Sequence, residues 1–146
     1  MTANKSMRKI PLFLKIGFGV IWATFLAYAL YINPSTSTTQ SKLQEMQKEA
    51  ASLLKNGGQV VYEEDLAKYG VASLLRGISF ASLSDEAYKK DLNDLVFDGW
   101  VDKGGDVFCK NGILLRFDRQ AIIFHGDPVM KLDMDYSARS IHYCGG

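Results

Sequence analysis

Residues 16–32, IGFGVIWATFLAYALYI, run without a single charged side chain, and no other stretch restricts the possible folds so tightly. Traced back to Ile10, the apolar run is interrupted only by Lys15. At about 1.5 Å per helical residue, the short and long versions measure roughly 26 and 35 Å, against a hydrocarbon layer of about 30 Å. This predicts one transmembrane helix over residues 10–32. Lys15 falls near its start, where a long aliphatic stem can carry the ammonium to the headgroups. Tyr28 and Tyr31 suit the far interface, whereas Trp22 lies mid-span, away from where an aromatic belt would place it.

Lys5, Arg8, Lys9 and Lys15 precede or open this run, and no acid occurs before Glu45. A basic flank of this kind is retained on the cytoplasmic side. Residues 1–9 therefore read as a cytoplasmic basic tail, 10–32 as a signal-anchor, and the rest as a part exported across the cell inner (plasma) membrane. The periplasm is the compartment expected for the exported part. Ala27-Tyr28-Ala29 offers a rival outcome, since it resembles a signal-peptidase site with cleavage after Ala29. Leu30-Tyr31-Ile32 continue the apolar run past that point, which favours retention. Both outcomes export the remainder of the chain.

Four of the 17 basic residues lie in residues 1–15, leaving 13 bases against 16 acids in the remainder. An exported part near −3 lacks the basic stripe that nucleic acid requires, so no nucleic-acid partner is expected. Within the apolar run, Gly19, Ala23 and Ala27 recur every four residues and share one helix face. Small residues at this spacing let helix backbones approach closely in lipid. That face is the expected packing surface for a second transmembrane helix or for a homodimer. The competing explanation is simply that small residues are common in such helices.

Asn33-Pro34 and the Ser/Thr run after it read as a linker over 33–40, leading to an exported domain over 41–146. Ser41 is the expected N-cap of a helix whose Leu43, Met46, Ala50 and Leu53 share one face, ended by Asn56-Gly57-Gly58. Residues 59–81 are harder to read. QVVY suggests a short strand, EEDLAKYG a short helix with Glu63, Glu64 and Asp65 in its first turn, and VASLLRG a further element. Ser84 caps a second helix with Tyr88, Leu92, Leu95 and Val96 on its apolar face and Trp100 anchoring its exit. Asp91, Asp94 and Asp98 read as its solvated face.

From Asp106 onward the apolar period becomes two. VFCK and ILLRF flank Asn111-Gly112, a strong two-residue hairpin signal. AIIFH follows Asp118-Arg119-Gln120, Gly126-Asp127-Pro128 makes a turn, and VMKLDMDY alternates cleanly. ARSIHYC is the expected last strand. The fold class is thus α+β, with two or three helices followed by an antiparallel meander of four or five strands.

Cys109 and Cys144 are the only cysteines. In an exported domain their default fate is one disulfide. The hairpin register sets Cys109 opposite Leu114, on the face away from Phe108, Ile113, Leu115 and Phe117, so the bridge belongs on the second face or rim. His142 and Cys144, with His125 and Cys109, could make a zinc set only by coincidence, since no paired-ligand motif occurs. No metal or cofactor is expected. A cysteine–histidine nucleophile would need a free thiolate. Asp133 and Asp135 share the polar side of one strand, but this pair alone lacks the rest of a calcium loop. No hydrolase, metalloprotease, P-loop or dinucleotide motif is present.

These features predict a non-enzymatic, membrane-anchored interaction domain. It would serve as an accessory subunit or assembly factor of a membrane complex, or as an immunity or inhibitor protein. Its expected partner is another membrane or periplasmic protein. The alternative is a tethered or secreted hydrolase using carboxylates near Asp127, Asp133 and Asp135. A third outcome, a soluble secreted inhibitor, would require a mature protein beginning at Leu30.

Overall fold

The computed structural model describes residues 12–145. Lys5, Arg8, Lys9, the side chain of Lys15 and the first two residues of the expected 10–32 helix lie outside what it describes. The chain separates after Ile32 into an N-terminal helical unit and a unit beginning at Asn33.

Helix α1 (Leu12–Ile32) contains 21 residues, a length of about 31 Å at the usual helical rise. It is long and apolar enough to cross a membrane. Phe18, Ile21, Trp22, Phe25, Leu26 and Tyr28 are exposed. Thr24 Oγ1 donates to the carbonyl of Val20 at 2.9 Å, satisfying the one hydroxyl in mid-span without water.

The second unit is α+β. Helix α2 (Thr36–Leu53) precedes strands β1 (Val60–Lys68) and β2 (Val71–Ser79). A single 3-10 turn (Phe80–Ser82) leads to helix α3 (Asp85–Phe97), strands β3 (Val101–Asp102), β4 (Val107–Lys110), β5 (Ile113–Phe124) and β6 (Asp127–Ser137), and helix α4 (Ala138–Cys144). The six strands form one antiparallel sheet in the order β1-β2-β6-β5-β4-β3. The sheet is larger than the expected four or five strands and contains elements from before the meander.

Several boundaries differ from the sequence expectation for identifiable reasons. The 33–40 linker is helical from Thr36, and Ser35, not Ser41, caps α2 by accepting from the Thr38 amide. Thr39 is fully buried, its hydroxyl donating to the carbonyls of Thr36 and Lys68. EEDLAK is strand β1, not a helix. It is an edge strand with charges on both faces, so it lacks the alternation that betrays a strand, and pairing with β2 overrides its weak β-propensity. Asp118-Arg119-Gln120 does not separate two strands; β5 runs through it with a register irregularity between Asp118 and Ile122. The following turn is His125-Gly126, both at positive φ, with Asp127 already paired to Phe124. ARSIHYC is helix α4, started by a reciprocal capping box between Ser137 and Ser140 and closed by Gly145 in the left-handed conformation.

The core lies on one face of the sheet. Met46, Ala50 and Leu53 of α2 and Tyr88 and Leu95 of α3 pack on Leu74, Ile78, Ile113, Leu115, Leu132 and Met134. Trp100 is buried beside them, and its Nε1 donates to Glu49, which also pairs with Lys110 at 2.6 Å. This network ties α2 to the exit of α3 and to β4. Asn111-Gly112 places both turn residues at positive φ, as a type I′ hairpin requires, and Cys109 stands opposite Leu114.

Candidate interaction surface

Among the described residues of this unit, the other face of the sheet carries no helix except α4 at one side, and strand register assigns its residues row by row. Lys68, Val71 and Ser137 form the first row; Leu66, Ser73, Asp135, Leu114 and Cys109 the second. Glu64, Leu75, Asp133, Arg116 and Val107 make the third, followed by Tyr62, Gly77, Lys131 and Asp118. Gly77 leaves room for Tyr62, since a Cβ there would come within 3.1 Å of the Tyr62 Cβ. The Tyr62 ring packs on Phe124 at 5.4 Å between centroids. Arg116 pairs with Asp133, and the Ser137 hydroxyl donates to Asp135. Two shallow clefts open on this face, of about 350 Å³ beside Arg116 and Lys131 and about 480 Å³ beside Val71 and Arg139.

Helix α4 walls the larger cleft through Arg139, Ser140 and Tyr143. Cys109 and Cys144 have their sulfurs 2.08 Å apart, a disulfide separation, and so fasten the end of α4 to β4. Cys144 comes from a helix and not from a strand as expected. Ser140 Oγ donates to the Gly112 carbonyl, a second attachment between α4 and the hairpin turn. His142 is an exposed helix residue, and His125 lies in the β5–β6 turn. Among the described residues no cluster of histidine, cysteine, aspartate and glutamate could hold a metal ion.

The carboxylates of the hydrolase alternative do not converge. Asp133 and Asp135 are neighbours on one face of β6, but Asp127 is six residues before Asp133. That separation is roughly 20 Å along an extended strand. Asp133 is engaged by Arg116, and Asp135 accepts from Ser137.

A different acidic cluster escaped the sequence reading. Asp91 is only 4% exposed and is not part of a solvated helix face. Asn56 Nδ2 donates to it at 2.6 Å and to Asp94 at 3.2 Å, while Lys55 pairs with Asp94 at 3.1 Å. Burial raises Asp91 above the usual carboxylate range, with the Asp94 charge adding to the shift and the Asn56 hydrogen bond opposing it. The hydrogen bond from Lys55 holds Asp94 below that range. The Asp91, Asp94, Asp98 spacing alone could not reveal this, because Asn56 and Lys55 arrive from the end of α2. Val96, expected in the core, is exposed; with Phe97, 92% exposed, and Val101 it leaves apolar surface around the end of α3 and the start of β3.

Two further surfaces are open. Gly19, Ala23 and Ala27 stand on exposed positions of α1, with nothing within 4 Å of a Cβ built on Gly19. Strand β1 pairs only with β2, leaving the outer backbone of its nine residues without a strand partner among the described residues. Comparison with protein-family models, with curated proteins and with solved structures finds no match.

Proposed function

We propose that the chain is a single-pass, membrane-anchored interaction protein without catalytic activity. Its N-terminus faces the cytoplasm, and the unit from Asn33 onward sits on the periplasmic side of the inner membrane. There it acts as an accessory subunit or assembly factor of a membrane complex, or as an immunity or inhibitor protein. The observation that carries this reading is α1, a 21-residue helix whose only charged residue is Lys15 near its start, followed by a separate α+β unit. A helix of this kind needs lipid around it. The Cys109–Cys144 pair at disulfide distance supports an oxidising compartment for the second unit.

Two surfaces support an interaction role. The open edge of β1 can accept an extended segment by strand addition, a recognition mode in which backbone hydrogen bonds supply much of the affinity. The Gly19/Ala23/Ala27 face can receive another helix within the bilayer. Affinity purification of the full chain in mild detergent is expected to recover a partner protein in fixed stoichiometry. Loss of that partner on Ala23→Ile would assign the contact to α1, whereas its retention would leave β1 as the contact. Recovery of the chain alone, as a monomer, would overturn the interaction role.

A further inference from the structure

We infer that the end of the open sheet face nearest Pro34 is a contact site for anionic phospholipid headgroups. The inference rests on α1 crossing the membrane and concerns what the attached unit does at the bilayer surface. Pro34 follows the last residue of α1 by two positions, so covalent geometry alone keeps the two within about 7.6 Å. With Ile32 at the hydrocarbon boundary, Pro34 falls in the headgroup layer, roughly 5–7 Å deep in each leaflet.

Pro34 does not stand alone there. Its carbonyl accepts from the Gly70 amide at 3.0 Å, and the neighbouring Thr39 hydroxyl donates to the Lys68 carbonyl at 3.0 Å. The β1–β2 turn is thereby bound to the segment that leaves α1. Register then sets Lys68 beside Val71 and Val71 beside Ser137, the cap of α4, so Arg139 belongs to the same end. The cleft of about 480 Å³ opens here, floored by Val71 and Leu114 and walled by Arg139 and Tyr143.

The charges at this end are unevenly matched. Lys42 pairs with Glu45, and Arg116 with Asp133. Asp135 remains in the cleft and accepts from Ser137. Lys68 and Arg139 are exposed and form no ion pair among the described residues. Beyond residue 15 the chain holds 13 bases and 16 acids, so an anionic bilayer repels the unit as a whole. The two unpaired cations stand at the end that the tether already holds near the surface. Tyr69 and Tyr143 are half exposed beside them, with the amphipathic character that favours the interfacial layer. A guanidinium offers paired donors to phosphate oxygens, and each basic side chain near an anionic surface contributes about fivefold in binding.

The test is amide hydrogen exchange on the full chain in nanodiscs of phosphatidylcholine or of phosphatidylglycerol. Residues 68–72 and 137–141 are expected to exchange at least about fivefold more slowly in the anionic discs, with the difference shrinking at high salt. Lys68→Gln with Arg139→Gln should abolish the difference, Arg139→Lys should retain most of it, and unchanged exchange in β5 and β6 would show that the variants fold. Equal exchange of 68–72 and 137–141 in both discs overturns the inference, as does equal protection by inorganic phosphate added to neutral discs. Protection of α1 in every disc separates these outcomes from failure of the membrane reading, in which α1 itself would exchange freely.

Discussion

Replacing Cys109 and Cys144 together by alanine removes the covalent cross-link that ties the far end of α4 to β4. The two residues are 35 apart in sequence, so the bridge closes a loop whose chain entropy corresponds to about 3.8 kcal/mol at 25 °C. The unit from Asn33 to Gly146 would unfold with an entropy of roughly 240 cal/mol/K, which converts that loss to a drop of about 16 °C in Tm. The loss should not abolish folding, because Ser140 is the only buried residue of α4 and the helix lies outside the main core. The sheet and its packing on α2 and α3 are therefore expected to persist at 25 °C, while the amides of residues 138–144 lose protection. Thermal melts of the full chain in detergent, followed by the near-ultraviolet signal of buried Trp100, measure the first effect, and hydrogen exchange measures the second. A Tm within about 3 °C of the parent, or undiminished protection of α4, would refute the role given to the bridge.

Three other substitutions probe the interior. Asp91→Asn should raise stability near neutral pH. Burial raises the folded pKa of Asp91 above its unfolded value, so its favourable contribution is complete below the unfolded pKa and is lost as pH rises through the folded one. Denaturant titrations of variant and parent should converge in acid; a variant less stable at neutral pH would contradict this. Asp65→Asn should do the reverse, because the hydrogen bond from Arg76 lowers the Asp65 pKa and its contribution is lost only as pH falls through the folded value. A penalty for Asp65→Asn that persisted fully in strong acid would count against the pairing. Tyr88→Phe should be neutral or stabilising by up to about 1 kcal/mol, since the buried hydroxyl has no hydrogen-bond partner among the described residues. A loss of more than about 1 kcal/mol in urea would show that the hydroxyl is satisfied.

Where one signal dominated, the fold was legible in the sequence. The α1 helix follows from an apolar run interrupted only by Lys15, and the β4–β5 register from Asn111-Gly112 with alternating residues on both sides. The apolar faces at Met46, Ala50 and Leu53, and at Met130, Leu132 and Met134, were equally visible in their periods. The misread segments are those in which local preference and tertiary role disagree. Glu63-Glu64-Asp65 resembles a helix start, yet Asp65 serves strand β1 by holding the buried Arg76 guanidinium at 2.5 Å. ARSIHYC has strand-like residues, but the Ser137/Ser140 capping box three residues apart decides for a helix, and that signal was available. The surface near Pro34 was not available in the same way. It depends on long-range contacts from Gly70 and Thr39 and on the register that sets Lys68, Val71 and Ser137 side by side.

The placement of the chain is tested most directly by protease added to the outside of intact spheroplasts, combined with N-terminal sequencing of the membrane fraction. An anchored, exported protein predicts a carbonate-resistant membrane species that retains residues 1–29 and loses the α+β unit to external protease. A soluble species beginning at Leu30, or a unit digested only after the membrane is permeabilised, would contradict it.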